Sequence, residues 1–165
     1  MDRRHWIATG LKASALAAAL PLPAASVFAQ EGPDVATRFA ATLSAHDLDA
    51  FAALFSPDYV NHQFSAASRP PAGMTAKTAT VSLFRARLAG MPDLTVTVEK
   101  SLVTTDGCAA SFIYEGTHTA PYMGVAPTGR HLRFSSCDIF RVDDGRIVEH
   151  WGMGDIAGLM AQLKG

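Results

Sequence analysis

The chain has 165 residues, with 14 basic against 15 acidic side chains and a formal net charge of −1, and nearly half of its residues are hydrophobic. That balance, with no basic run and no interleaved aromatic stripe, excludes nucleic acid and anionic membrane surfaces as natural partners. Two cysteines, Cys108 and Cys137, are too few for a disulfide framework or a cysteine-based metal cluster.

Taken in chain order, the first feature is an export signal. Arg3 and Arg4 precede an apolar run from Ala13 to Leu22 and a small-residue site before Gln30. The run is too short to cross a bilayer core of ~30 Å, and Pro21 and Pro23 interrupt it, so cleavage rather than membrane insertion is expected. Paired arginines ahead of His5, Trp6 and Ile7 resemble a twin-arginine signal. Cutting 29 of the 165 residues leaves 136, one domain of formal charge −3, because three cations and one anion depart with residues 1–29. The expected organisation is therefore a signal over 1–29 and one domain over 30–165, periplasmic or secreted.

Asp34 is a suitable N-cap for a helix carrying Val35, Phe39 and Leu43, and Asp47 for a second with Leu48, Phe51, Leu54 and Phe55. A short strand is expected around Asp58 to Gln63, then a loop from Phe64 to Gly73. A third helix follows from about Thr75 to Ala89, with Val81, Phe84 and Leu88 as its apolar stripe. From Leu94 the period becomes alternating, which predicts strands over about 94–99, 108–118, 131–142 and 146–151, and Asp155 caps a closing helix to Leu163. Helices followed by a long antiparallel sheet give an α+β fold. By parity Cys108 belongs to an inward set and Cys137 to an outward one, which argues against a disulfide between them.

Asp138 is the most informative residue. It falls on the apolar face of its strand with Phe134, Ser136, Phe140 and Val142. A carboxylate aimed at a core loses solvation, so it serves either as a proton donor and acceptor or as a structural group satisfied by amides, Ser136 or water. The final hairpin decides its neighbour. A two-residue turn at Asp144 and Gly145 puts Trp151 opposite Asp138, and a three-residue turn with a bulge at Gly145 puts His150 there. Tyr114 and His118 share the inward parity of the strand that also carries Ala110 and Phe112, and His62 follows Asn61 on the short first strand. His46 and His131 read as surface residues. No histidine pair has the spacing of a zinc site, and Gly-x-Ser-x-Gly, phosphate-loop and dinucleotide signatures are missing from the sequence. Cofactor-independent acid–base chemistry in an apolar pocket is the expectation, with no metal.

At this point a family resemblance can be stated. The segments His118-Thr119, Tyr122 to Arg130, Asp138-Ile139-Phe140-Arg141 and Asp144 to Trp151, with Tyr59 to His62 upstream, resemble the SnoaL-like polyketide cyclases, or ester cyclases. The resemblance implies the nuclear transport factor 2-like fold, a cone of helices on a curved sheet with a pocket at the wide end. It implies ring closure by intramolecular aldol condensation without a cofactor. Asp138 and His118 would be the acid–base pair, with Asn61, His62, Tyr114, His150 and Trp151 shaping the substrate pocket. In related ketosteroid isomerases an Asp at the equivalent of Asp138 stays protonated and donates to an oxyanion. Because one fold hosts many activities, the sequence leaves open a periplasmic domain that binds a small apolar molecule without transforming it. A homodimer or higher homo-oligomer is likewise left open.

Overall fold

A computed structural model describes residues 34–63 and 70–165. The export signal expected over 1–29 lies outside the described residues, as does most of the loop expected over 64–73. Four helices, α1 (Val35–Ser44), α2 (Leu48–Ala53), α3 (Ala76–Gly90) and α4 (Ile156–Lys164), pack on five strands, β1 (Phe55–Asn61), β2 (Thr95–Val103), β3 (Gly107–Thr117), β4 (His131–Asp143) and β5 (Arg146–Gly154). The sheet order is β1-β5-β4-β3-β2, with β1 parallel to β5 and every other pair antiparallel. The α+β reading therefore holds, with one parallel edge strand.

Each helix begins where a side chain can take up otherwise unpaired backbone N–H groups. The Asp34 carboxylate accepts from Ala36 and Thr37 (2.8 and 3.0 Å), Asp47 from Ala50 (2.8 Å), Thr75 from Thr78 (3.1 Å) and Asp155 from Gly158 (2.8 Å). Strand β1 starts at Phe55, three residues earlier than expected, and carries Pro57. A proline lacks the N–H for a second ladder, and an edge strand needs only one.

Phe39 on α1 is the hub of the core. Its ring lies 5.1–5.5 Å from those of Phe51, Phe84, Phe112 and Phe140, so α1, α2, α3, β3 and β4 meet on one side chain. Alternation along β3 is complete: Cys108, Ala110, Phe112 and Tyr114 are buried and the residues between them half-buried. Cys108 points inward and Cys137 outward, both as free thiols.

The stripe of α3 differs from the expectation. Its inward residues are Thr80, Phe84, Arg87 and Leu88, and Val81 is only half-buried. Phe84 and Leu88 face inward as expected, and Thr80 and Arg87 take the buried face in place of Val81, which brings two polar side chains onto it. Among the described residues no helix is long and apolar enough to cross a membrane.

Candidate active site

The geometry of the β4–β5 hairpin places the site. Asp144 (φ 46°) and Gly145 (φ 69°) form a two-residue turn in the left-handed region that such hairpins require, pairing Asp143 with Arg146 and Val142 with Ile147. The register then slips: Arg141 pairs with Glu149, leaving Val148 as an extra residue in β5. From there Phe140 opposes His150, Ile139 opposes Trp151 and Asp138 opposes Gly152. Both hairpin alternatives drawn from the sequence are thereby corrected, because the turn is the two-residue type but a bulge beyond it shifts every later pair by one.

That shift sets the chemistry. Trp151 pairs with Ile139, whereas His150 lies on the same face as Asp138, two residues along β5 from the position opposite it. The missing side chain at Gly152 leaves the space through which the imidazole reaches the carboxylate, and His150 Nε2 stands 2.7 Å from Asp138 Oδ1. A β-carbon at Gly152 would lie 2.8 Å from His150 Cε1 and closer still to both hydrogen-bonded atoms.

The pair sits inside a longer chain of polar groups. Tyr59, on β1, places its hydroxyl 3.1 Å from His150 Nδ1. Burial raises the Tyr59 phenol well above its ordinary pKa, so it stays protonated. With the Tyr59 hydroxyl donating to Nδ1, the Nε2–H of the ring donates to Asp138. The other carboxylate oxygen, Oδ2, accepts from the Ser136 hydroxyl, whose oxygen is 3.5 Å from that of Tyr114. Burial pushes the Tyr114 phenol up to about 12. Asp138 and His150 are 6% and 9% exposed, so the hydrogen bond between them is buried rather than at the surface.

A cavity of about 620 Å³ opens onto this chain and is bounded mainly by apolar side chains, a size suited to a small organic molecule. It is lined by Asp138, His150, Tyr114 and Ser136 of the sheet, by Thr80, Phe84 and Arg87 of α3, and by Asn61, His62 and Trp151. The Asn61 side chain accepts from the backbone N–H of Gln63 (2.9 Å). His62 stacks on Trp151 at 4.4 Å and 6° and bonds Glu149 (2.7 Å), which also accepts from Arg141. These two contacts, His62 first, hold the Glu149 carboxyl below its usual range. Of the residues expected at the site, Asp138, Asn61, His62, Tyr114, His150 and Trp151 all line the cavity.

His118 does not. It is fully buried, with Nδ1 3.0 Å from the Thr128 hydroxyl, and its Nε2 finds no partner among the described residues. The strand geometry explains the separation. Asp138 pairs with Ala110, and the eight residues from there to position 118 span about 26 Å of strand. Parity correctly turned His118 inward, but toward the end of β3 beneath the 119–130 segment. The pairing of His118 with Asp138 is thus replaced by His150 with Asp138. Tyr59, Thr80, Arg87 and Ser136 were not singled out from the sequence as site residues. Ser136 carried a signal as a polar residue on the same strand face as Asp138, and Tyr59 as the first residue of the segment Tyr59 to His62 in the family resemblance. Among the described residues no group of three or more His, Cys, Asp or Glu side chains is arranged to hold a metal ion.

Comparison with known proteins gives the family. Residues 33–163 match the family model of SnoaL-like polyketide cyclases. Among solved structures, IdmH of Streptomyces antibioticus, a proposed polyketide cyclase, is 32% identical, with 79% of this chain and 96% of that one covered and a TM-score of 0.66. AclR of Streptomyces galilaeus, a proposed hydroxylase, is 25% identical over 79% and 92% of the two chains, with a TM-score of 0.68. A Catenulispora acidiphila protein with a ketosteroid isomerase-like fold, bound to trimethylamine, shares the fold at 21% identity and a TM-score of 0.59, with 80% and 93% covered. No curated protein matches the chain.

Proposed function

We propose, from the premise that the chain belongs to the SnoaL-like polyketide cyclase family, that its cavity transforms a small, largely apolar carbonyl compound by cofactor-independent acid–base chemistry. The reaction class is that of a cyclase or a related isomerase or lyase. The observation that carries this reading is the buried Asp138–His150 pair, oriented at both ends by Tyr59 and Ser136 and open to the cavity. A buried pair of ionisable groups is expensive to maintain and concentrates where proton transfer is needed.

In this reading the Asp138 carboxylate takes a proton from the carbon next to the substrate carbonyl. The C–H electron pair moves into the new C=C bond as the carbonyl π pair shifts to oxygen. Tyr114, held protonated by burial, donates a hydrogen bond to that oxygen. His150 holds the carboxylate in place and steadies its charge through the Nε2 hydrogen. The enolate carbon then either attacks a second carbonyl of the same molecule, closing a ring, or recovers a proton from Asp138 at another position. In the first outcome the new alkoxide takes the proton held by Asp138, and in the second the carbonyl re-forms as the carbon takes it, so Asp138 ends as a carboxylate in both.

The test is exchange of α-hydrogens for deuterium in 2-tetralone, followed by NMR in D2O. Native protein is expected to accelerate exchange, and Asp138→Asn to reduce that acceleration by roughly 100-fold or more, the usual contribution of a positioned base. Exchange that is equal in native and Asp138→Asn protein would remove Asp138 from the role. A cavity that binds the ketone without exchanging it would favour the alternative of a binding domain.

A further inference from the structure

We infer that Arg87 is the receptor for an anionic oxygen group on the ligand, so that the molecule taken into the cavity is an apolar carboxylate as well as a carbonyl compound. Arg87 lies on the inward face of α3 one turn after Phe84, lines the cavity and is 8% exposed. Its guanidinium carbon is 4.8 Å from the ring centres of Phe84 and Tyr114 and 5.2 Å from that of Phe134. Nε–H donates to the Tyr122 hydroxyl at 3.1 Å. The polar groups in contact with it are thus the hydroxyls of Tyr122 and Tyr114, and the charge of Asp138 acts on it without forming an ion pair. The ion pairs among the described residues join His62, Arg133, Arg141 and His150 to carboxylates, and Arg87 belongs to none of them.

A guanidinium taken out of water with no carboxylate in contact carries a desolvation cost of several kcal/mol that aromatic faces offset only in part, at about 2 kcal/mol for a well-desolvated contact. Three rings around one cation also fix its plane, and a fixed planar fork of N–H donors is the arrangement that recognises a carboxylate through two parallel hydrogen bonds. Asp138 acts on the guanidinium by its charge alone: no ion pair joins the two, and the hydrogen bonds its oxygens make among the described residues are to His150 and Ser136. The remaining wall contains Phe39, Leu83, Phe84 and Ile156, so the rest of the ligand is apolar. Tyr114 stands between the two ends of the site. Its ring faces Arg87 and its hydroxyl faces Ser136, so a ligand anchored at Arg87 extends past Tyr114 to reach Asp138.

The identification of the reacting end rests on the acid–base reading of this cavity, but the anion receptor is tested by binding alone. Anthracene-2-carboxylate and its uncharged isostere anthracene-2-carboxamide are titrated into the purified protein and followed by fluorescence. Native protein is expected to bind the carboxylate at least tenfold more tightly than the amide, as hydrogen bonds to a charged group imply. Arg87→Met should bring the ratio close to one while leaving amide affinity within about threefold, and Arg87→Lys, which keeps the charge and loses the fork, should give an intermediate ratio. Thermal melts establish that each variant is folded, and Arg87→Lys carries the comparison if Arg87→Met is not. Asp138→Asn should keep the preference for the carboxylate. Equal affinity of native protein for the two probes, binding of neither, or an undiminished ratio in a folded Arg87 variant overturns the proposal. A preference that depends on Arg87 beside exchange that is indifferent to Asp138→Asn would sink the catalytic reading and leave this one standing.

Discussion

Replacing Gly152 by alanine is the sharpest test of how the site is built, because it removes no functional atom. In an ordinary strand the change would stabilise, since glycine sacrifices more chain entropy on folding than alanine, by about 0.5–1 kcal/mol. Here the sign reverses. The added methyl would fall in the 2.7 Å gap between His150 Nε2 and Asp138 Oδ1, within van der Waals contact of both. One side chain must swing away, giving up a charge-assisted hydrogen bond worth about 1.5–3 kcal/mol and leaving its partner buried. After the entropic gain is subtracted, a net loss of roughly 2 kcal/mol is expected, or about 4–10 °C in Tm for a domain of this size. Circular dichroism melts measure it. A double-mutant cycle with Asp138→Ala supplies the control: the methyl would still meet the His150 ring, but with the carboxylate gone nothing holds that ring in place and it can turn into the vacated space, so the cost of Gly152→Ala should fall below about 0.5 kcal/mol. Gly152→Ala protein as stable as the native one, with the His150 ring nitrogens unaltered in their NMR shifts, would refute the placement of Gly152 against the pair.

Two further outcomes follow from the tyrosines. Tyr59→Phe removes the hydroxyl at His150 Nδ1 and should lower stability by about 1 kcal/mol while shifting the His150 titration followed by NMR; an unmoved titration curve would show that Tyr59 does not orient the ring. Burial raises the pKa values of Tyr59 and Tyr114 in the folded state, so both phenols ionise more readily once unfolded. Their contribution is complete below the unfolded value near pH 10 and is lost as pH climbs through the folded values, which predicts a fall of roughly 1 kcal/mol per tyrosine by pH 11. Urea melts from pH 8 to 11 measure the fall, and Tyr59→Phe should remove about half of the tyrosine contribution. A flat profile contradicts the assigned burial.

The features legible in the sequence are those set by local rules. Caps at Asp34, Asp47 and Asp155 mark helix starts because a short side-chain acceptor satisfies N–H groups only one turn away. Strand parity sorted Cys108 inward and Cys137 outward, and placed Asp138 and Tyr114 on the inner face. Features that depend on cross-strand register were not legible. The extra residue at Val148 has no glycine or proline to mark it, yet it moves Gly152, rather than Trp151 or His150, opposite Asp138. Position along a strand was also decisive. His118 has the right parity, but some 26 Å of β3 separates it from the pair partner of Asp138. Arg87 and Thr80 were missed for a different reason. A helix stripe is read by seeking apolar residues, and α3 turns a partly polar stripe inward because it faces a cavity as well as a core.

That last difference separates the packed half of the molecule from the open half. Five polar or charged side chains are buried among the described residues, and four of them, Thr80, Arg87, Asp138 and His150, line the same cavity. Had they served only to fill space, hydrophobic residues of similar volume would do so at lower free energy, as replacement of buried ion pairs generally shows. Aromatic packing around Phe39 supplies the stability from which such a cluster can be held. His118, the fifth, is the exception that fits: its hydroxyl partner Thr128 comes from the 119–130 segment, so its polarity tethers that segment to the end of β3. Buried polarity in this fold therefore divides by location, with the cluster on the cavity wall available to a ligand and the isolated histidine committed to the chain itself.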